Sequence, residues 1–329
     1  MMLCMKAMKA QGARTSGGRL IQFVGGGVQA AALAAASRAL TRRIDPPSWQ
    51  RSSFSGANVQ LTGGLDAAIG ALGGVLVGLA PAVEAGGVRR EAAALVAGSA
   101  GAVAGAIDDH LEGHFPARGK GFKGHIGALR EGKVTSGLLK IVGVGAGAGV
   151  AALLIGSPQP AGAPSESRAR GAWLTDVTLN TLLIAGAANF INLLDLRPGR
   201  ALKMVGVTAI GSGCATGAPA AAGALLGAGA AAAPADLAGQ TMLGDLGANA
   251  LGAQLGVALA AIPSRLARGG VLAAILGLTA ISEKVSFSRV INANPALHWV
   301  DQLGRPKVAP VAAASEATEP RMDSQESGQ

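Results

Sequence analysis

Residues 135–155 read TSGLLKIVGVGAGAGVAALLI, a run with a single charge, Lys140. A helix needs about 20 mostly apolar residues to cross the hydrocarbon core of a bilayer. Eight similar runs occupy residues 18–40, 59–83, 91–108, 172–193, 201–215, 217–233, 246–262 and 268–283. Pro219 and Pro234 are expected to mark helix ends. The sequence therefore predicts an all-α, polytopic transmembrane bundle of about nine to ten helices.

The composition also favours a membrane protein. Half of the residues are hydrophobic and 14% are charged, whereas a soluble domain has about a quarter charged residues. The 51 glycines suit close helix packing in lipid. The net charge is +9, but the basic residues lie between the apolar runs, so we expect them to set topology and to bind no nucleic acid. The two cysteines indicate neither a disulfide nor a zinc site.

The predicted organisation has four parts. Residues 1–17 form an N-terminal tail, 18–283 the transmembrane domain, 284–307 a cytoplasmic or interfacial segment, and 308–329 a disordered tail. Nine spans place the termini on opposite sides. The loops on the C-terminal side carry more Lys and Arg, so we expect that side to be cytoplasmic in a multi-pass plasma-membrane protein.

Four carboxylates fall at span ends on this predicted cytoplasmic side. Asp108 and Asp109 end the third span, Asp195 follows the fifth and Asp245 begins the eighth. Charged groups at these depths are costly unless they are paired or used. Carboxylates suit Mg²⁺, which binds one or two of them together with substrate phosphates. Basic residues that suit an anionic substrate lie nearby: Lys120, Lys123, Arg197 and Arg200. The alternative is that the carboxylates only balance these cations.

A basic, glycine-containing stretch, WQRSSFSGANVQLTGG (49–64), precedes the second span. One interpretation is that Arg51, Ser52 and Asn58 line a substrate entrance. The other is an interfacial anchor formed by Trp49 and Arg51.

A partly apolar segment, residues 282–306, follows the last span. Phe287 and Trp299 would seat an amphipathic piece at the membrane interface. Equally, the segment would cap the carboxylate site. The sequence does not separate these two interpretations.

Three motifs resemble a known family. They are GAIDDHLEGHFPARGKGFKG (105–124), NFINLLDLRPG (189–199) and MLGDLGANALG (242–252), in that order. Together they resemble the polyprenyl-phosphate N-acetylhexosamine-1-phosphate transferase superfamily, which includes the phospho-MurNAc-pentapeptide translocases and the GlcNAc-1-phosphate transferases. The resemblance spans about residues 50–260, and it implies the membrane-helix fold of those translocases.

The resemblance implies a reaction and a set of site residues. A sugar-1-phosphate moves from a UDP-sugar to a polyprenyl phosphate in cell-envelope glycan synthesis, with release of UMP and with Mg²⁺ as cofactor. The implied catalytic residues are Asp108, Asp109 and Asp245, and the implied metal ligands are Asp245 and Asp108. The implied substrate-binding residues are Asn189, Asn192, Asp195, Lys120, Lys123 and Arg197. A homodimer is also plausible on this resemblance.

The chain departs from the family pattern in three places. After the Gly-Asp motif it reads Leu246-Gly247-Ala248-Asn249, where the family usually has a Gly-Ser pair. Pro198 stands where the family has a second aspartate of the asparagine motif. The histidine-rich motif of a late cytoplasmic loop is missing, and only His298 lies in the corresponding stretch. The alternative function is therefore a catalytically degenerate scaffold or lipid-carrier-binding partner. A secondary transporter is disfavoured because its ionisable residues should lie near the bilayer midplane.

Overall fold

The computed structural model describes residues 2–44, 47–52, 56, 58–84, 88–115, 121–156, 166–215 and 218–306. Within these ranges the chain forms twelve α-helices, and its one sheet is a two-stranded antiparallel hairpin. The hairpin pairs β1 (Gln50–Ser52) with β2 (Asn58–Gln60). The predicted all-α polytopic bundle is confirmed. The predicted C-terminal tail, 308–329, lies outside the described residues.

The twelve helices are α1 (Met2–Ile44), α2 (Thr62–Glu84), α3 (Val88–Leu111), α4 (Gly121–Arg130), α5 (Ser136–Ile155), α6 (Glu166–Leu194), α7 (Arg200–Ala215), α8 (Pro219–Leu237), α9 (Gly244–Ala260), α10 (Arg265–Ser282), α11 (Phe287–Ala293) and α12 (Pro295–Gln302). Nine of them correspond to the nine predicted spans. The sequence did not predict α4, α11 and α12, which are short. Helix α1 begins at Met2, inside the segment that was expected to be a tail.

The chain is a multi-pass membrane protein. Seven of the described helices, α1, α2, α3, α5, α6, α8 and α10, are long and apolar enough to cross a bilayer. Helices α7 and α9, with 16 and 17 residues, are shorter. Large apolar side chains on the outer helices are exposed, among them Ile21, Leu76, Val103, Val207 and Leu276. In a membrane these side chains contact lipid.

Helix α9 lies at the centre of the bundle, and nearly all of its residues are buried. It packs against α3 and α6. Glycines bring these helices together: a Cβ on Gly105 of α3 would collide with the backbone of Asp245, and a Cβ on Gly252 would collide with Ala188 of α6. Close backbone contact of this kind is how helices pack in lipid. It brings the end of α3 directly against the start of α9.

The prediction about the two prolines is half right. Pro219 begins α8, but Pro234 lies inside α8, which continues to Leu237. Proline lacks an N–H but keeps its carbonyl, and the carbonyl of Pro234 accepts the N–H of Ala238 at 3.3 Å. The helix therefore runs on for another turn before it ends.

Two buried carboxylates at the opposite end of the bundle from the four aspartates, Glu91 and Asp176, accept hydrogen bonds from neighbouring helices. Glu91 on α3 accepts the first N–H groups of α8, from Ala220 at 3.0 Å and Ala221 at 2.9 Å. Asp176 on α6 accepts hydrogen bonds from Arg265 at 2.7 Å and Arg268 at 2.8 Å on α10. These contacts fix α8 against α3 and α10 against α6.

Candidate functional site

The four aspartates lie at one end of the bundle, and they line one cavity. Asp108 and Asp109 lie in the last turn of α3, Asp195 follows the end of α6 and Asp245 is the second residue of α9. The cavity has a volume of about 430 Å³. Its wall consists of Arg51, Ser52, Leu61, Asp108, Asp109, Glu112, Thr135, Ser136, Gly137, Lys140, Asn192, Leu193, Asp195, Leu196, Met242, Gly244 and Asp245. We call this the main cavity.

Lys140, on α5, lies between two of the aspartates. Its ammonium Nζ is 2.5 Å from Oδ2 of Asp108 and 2.8 Å from Oδ2 of Asp245. All three side chains are about one-fifth exposed. Lys140 was not among the site residues predicted from the sequence. The available signal was its position as the only charge in an apolar run, because ionisable groups within spans are usually functional.

Asp109 has a different set of contacts from Asp108. Its Oδ2 accepts the backbone N–H of Leu246 at 2.9 Å, so it caps the first turn of α9. Its backbone carbonyl accepts a hydrogen bond from the guanidinium of Arg51. Asp109 thus lines the main cavity while its carboxylate holds α9 in place.

Asp195 is buried and also holds the start of α9. Its Oδ2 accepts the N–H of Gly244 at 2.8 Å. Burial raises the pKa of the Asp195 carboxyl well above its usual range, and the negative charge of Asp236 raises it further. Gly244 has a φ of +60°, and a Cβ there would lie 3.0 Å from Oδ2 of Asp109. Glycine is therefore required where the two aspartates meet α9.

Only some of the other predicted substrate-binding residues line a cavity. Asn192 lines the main cavity, whereas Asn189 is exposed and is not among the residues that line it. Arg197 lines a second cavity. Lys120 lies outside the described residues, and Lys123 lies on α4.

The second cavity, of about 210 Å³, adjoins the main one. Asp195, Leu196, Ser52 and Met242 line both. The further lining residues are Val59, Arg197, Pro198, Asp236 and Thr241. Asp236, at the end of α8, accepts the N–H of Gly199, so it holds the turn that follows α6. Asp195 is therefore in contact with both cavities.

The β-hairpin covers part of the main cavity. Arg51 and Ser52 on β1 line it, as the entrance interpretation expected. Asn58 on β2 pairs with Ser52 and is not among the lining residues. The ring of Trp49 lies 4.3 Å from that of His110 and packs against the core. Trp49 therefore anchors the hairpin to α3.

The histidines do not form a cluster in the described structure. His110 contacts Trp49, and His298 on α12 is exposed beside Asn292. The described residues include no group of three or more His, Cys, Asp or Glu side chains that could hold a metal. The missing histidine motif is thus not replaced by histidines from elsewhere in the part of the chain that the structure describes.

The donor set of Asp108 and Asp245 nevertheless fits Mg²⁺. Their two Oδ2 atoms converge on one cationic atom, the Nζ of Lys140. Two carboxylates completed by substrate phosphate oxygens are a usual Mg²⁺ site. The lining of the main cavity carries five carboxyl groups, from Asp108, Asp109, Glu112, Asp195 and Asp245, against two basic groups, from Arg51 and Lys140. Without Asp195, whose raised pKa favours the neutral form, four acidic groups still face two basic ones. Such an excess attracts a further cation.

Comparison with known proteins found no protein-family model, curated protein or solved structure that matches this chain.

Proposed function

We propose that the protein is a Mg²⁺-dependent transferase that moves a sugar-1-phosphate from a UDP-sugar to a polyprenyl phosphate. The observation that carries this proposal is the convergence of Asp108 and Asp245 on a single cationic position in the main cavity. The motifs that resemble the transferase superfamily contribute these aspartates, Asn192 and Asp195 to the same cavity.

The reaction joins two anionic phosphates. An oxygen of the lipid phosphate attacks the phosphorus attached to the sugar, a new P–O bond forms, and the P–O bond to UMP breaks. Asp108 and Asp245 would hold Mg²⁺, which relieves the repulsion between the reacting phosphates. Lys140 is positioned to contact the phosphate that carries negative charge during the reaction. Its flexible stem lets the ammonium turn from the two carboxylates towards a phosphate.

The protein's other groups position the site. Asp109 and Asp195 fix the first turn of α9 and hence the Asp245 carboxylate. Arg51 on the β-hairpin brings a second cation to the wall of the cavity. The lipid-facing helices give a polyprenyl chain a place to lie while its phosphate enters the cavity at the membrane surface.

The site end of the bundle is proposed to face the cytoplasm, where nucleotide sugars are made. Basic residues collect on this end, including Arg42 and Arg43 at the end of α1, Arg130 at the end of α4 and Lys133 after it. The positive-inside rule places such an end in the cytoplasm. A plasma-membrane location and a homodimer belong to the same proposal.

The experiment is UMP release by purified protein in lipid nanodiscs, with undecaprenyl phosphate, Mg²⁺ and a panel of UDP-sugars. Asp245→Asn should abolish release, because it removes a proposed metal ligand. Glu131→Gln is the matched control: it neutralises an exposed carboxylate at the same end, paired with Lys133. Equal loss in both variants, or Mg²⁺-independent release, would contradict the proposal.

A second candidate function is a carrier-binding protein without turnover. The ion pairs of Lys140 with both Asp108 and Asp245 favour it, because they neutralise the proposed metal ligands. It predicts saturable binding of undecaprenyl phosphate with no UMP release from any donor. The same nanodisc preparation distinguishes the two functions.

A further inference from the structure

The two short helices that follow the last span form a compact unit, here named the C-terminal hairpin (α11 and α12, Phe287–Gln302). Asn294 joins them, and its side-chain oxygen accepts the N–H groups of Ala296 at 3.0 Å and Leu297 at 3.1 Å. Pro295 occupies the first helical position of α12, where its missing N–H costs nothing. The angle between the two helices is therefore set locally.

One side of the C-terminal hairpin is fixed to the rest of the protein through Asp301. This buried carboxylate accepts hydrogen bonds from Arg200 at 2.9 Å and pairs with Arg305 at 3.1 Å. Burial alone raises the pKa of Asp301, but the hydrogen bond and charge of Arg200 and the charge of Arg305 hold the pKa below its ordinary value. Lys203 donates to the backbone carbonyls of Val300 and Asp301 at 3.0 and 2.6 Å.

These contacts reach the wall of the site. Arg305 also donates to the carbonyl of Pro198 at 2.9 Å. Pro198 belongs to the turn between Asp195 and α7 and lines the second cavity. Arg305, three residues after the C-terminal hairpin and paired with its Asp301, thus connects the hairpin to the turn that follows Asp195.

The other side of the C-terminal hairpin is apolar and exposed. Trp299 lies two residues before Asp301, which places it about 200° away around the helix axis. Val300 and Leu303, one and four residues after Trp299, lie within about 100° of it around the axis. Trp299, Val300 and Leu303 are exposed by 65, 47 and 53%. Three large exposed apolar side chains on one side of so short a segment mark an interaction surface.

Lipid is the occupant that chain continuity favours. Helix α10 crosses the membrane with Leu276 and Ile281 exposed to lipid. The N–H groups of Lys284 and Val285 both return to the carbonyl of Ile281, at 3.0 and 2.8 Å, so the linker to α11 is a tight turn. The headgroup layer is about 5–8 Å thick on each side of a bilayer. The C-terminal hairpin therefore starts at the depth of the lipid headgroups.

Charge and residue type agree with this location. Lys284 and Arg289 are exposed at the start of the C-terminal hairpin, where they would meet anionic headgroups. Tryptophan is enriched at this depth in membrane proteins.

We propose that the C-terminal hairpin is an interfacial membrane anchor: its apolar side, which carries Trp299, enters the headgroup region of the bilayer. On the opposite side Asp301 bonds to Arg200 at the start of α7 and to Arg305, which holds the turn beside the site. The inference rests on the multi-pass fold and is independent of the proposed transferase activity. It makes the position of the Asp195 turn depend on contact between the protein and the membrane surface.

The test is the depth of Trp299. A variant with Trp49→Phe and Trp173→Phe keeps Trp299 as its only tryptophan. It is placed in nanodiscs of phosphatidylcholine and phosphatidylglycerol that carry a spin label either at the headgroup or near the end of the acyl chain. The control keeps only Trp49, which packs against His110 at the same end of the bundle.

The expected result is stronger quenching of Trp299 by the headgroup label, by about twofold over the deep label, since interfacial helices enter only the headgroup boundary. Trp49 should be quenched by neither label. Quenching of Trp299 by aqueous acrylamide without quenching by lipid labels would overturn the proposal. So would shielding from both, which would show that protein covers this side. The difference between the native chain and Trp299→Phe gives the same readout with the other two tryptophans in place.

Discussion

Replacing Lys140 by Met would test the ion pairs at the centre of the site. The ammonium lies 2.5 Å from Asp108 and 2.8 Å from Asp245. Methionine preserves much of the side-chain volume but removes the charge. Two carboxylates that share one cation would then face each other without compensation.

The expected cost follows from the burial of the three side chains. Removing one partner of a buried ion pair costs about 3–5 kcal/mol, because the other charge is left uncompensated. The side chains of Lys140, Asp108 and Asp245 remain 21, 17 and 23% exposed. Water therefore reaches them, and we expect a loss at the lower end, about 3 kcal/mol of unfolding free energy.

Mg²⁺ should reverse much of this loss. With the ammonium gone, the carboxylates are free to bind a metal ion, and Mg²⁺ at about 100 times its Kd would return about 2.7 kcal/mol. The assay is thermal unfolding in detergent, with Mg²⁺ or with a chelator. Lys133→Met is the matched control: its pair with Glu131 spans 2.9 Å but is exposed, so its loss should be about 0–1 kcal/mol.

Two results would refute this reasoning. One is equal stability of Lys140→Met and Lys133→Met. The other is a Mg²⁺ effect on Lys140→Met no larger than the effect on the native chain. A double variant, Lys140→Met with Asp108→Asn, should be more stable than Lys140→Met alone, because it removes one of the two facing charges.

Three further predictions concern single residues. The folded-state pKa of Asp195 lies well above its unfolded value of 3.8, so the contribution of this carboxyl to stability is lost as pH rises through the folded pKa. Relative to the native chain, Asp195→Asn should therefore become progressively more stable as pH is raised, as measured by unfolding titrations. Glu91→Ala leaves two buried N–H groups of α8 unpaired and should cost about 2–4 kcal/mol in denaturant unfolding, and Glu91→Gln, which keeps an acceptor, clearly less. Gly244→Ala should lose more stability than Gly132→Ala, since both have positive φ but only Gly244 has close neighbours; equal losses by thermal unfolding would contradict the crowding around Gly244.

The helical framework was largely predictable from the sequence. A bilayer demands about 20 apolar residues per span, and the runs in this chain are separated by charged or proline-containing loops. The nine predicted spans therefore fall on nine helices, with ends that differ by only a few residues for most of them. Pro234 misled the prediction because the final turn of a helix tolerates a proline whose carbonyl is still used.

The site was predictable only in part. Span ends on one face placed Asp108, Asp195 and Asp245 together, and they share the main cavity. The partner of two of them, Lys140, lies 32 residues from Asp108 and 105 from Asp245 along the chain. No local pattern links residues so far apart.

The different roles of the four aspartates could not be predicted from the sequence either. Asp109 and Asp195 accept backbone N–H groups at the start of α9. These contacts depend on how closely α3, α6 and α9 approach one another. The glycines permit this close approach but do not determine its geometry. The C-terminal hairpin was likewise left with two interpretations. Its contacts through Asp301 show how the segment is attached to the site wall.

The most direct test of the proposed chemistry follows the phosphorus that changes partners. UDP-N-acetylhexosamines labelled in the phosphate next to the sugar are given to the native protein in nanodiscs with undecaprenyl phosphate and Mg²⁺. We predict that the label moves into the lipid-extractable fraction, that unlabelled UMP appears in equal amount, and that neither occurs with Asp245→Asn. Label that stays in the aqueous fraction with every donor, while the protein still binds undecaprenyl phosphate, would contradict the transferase proposal.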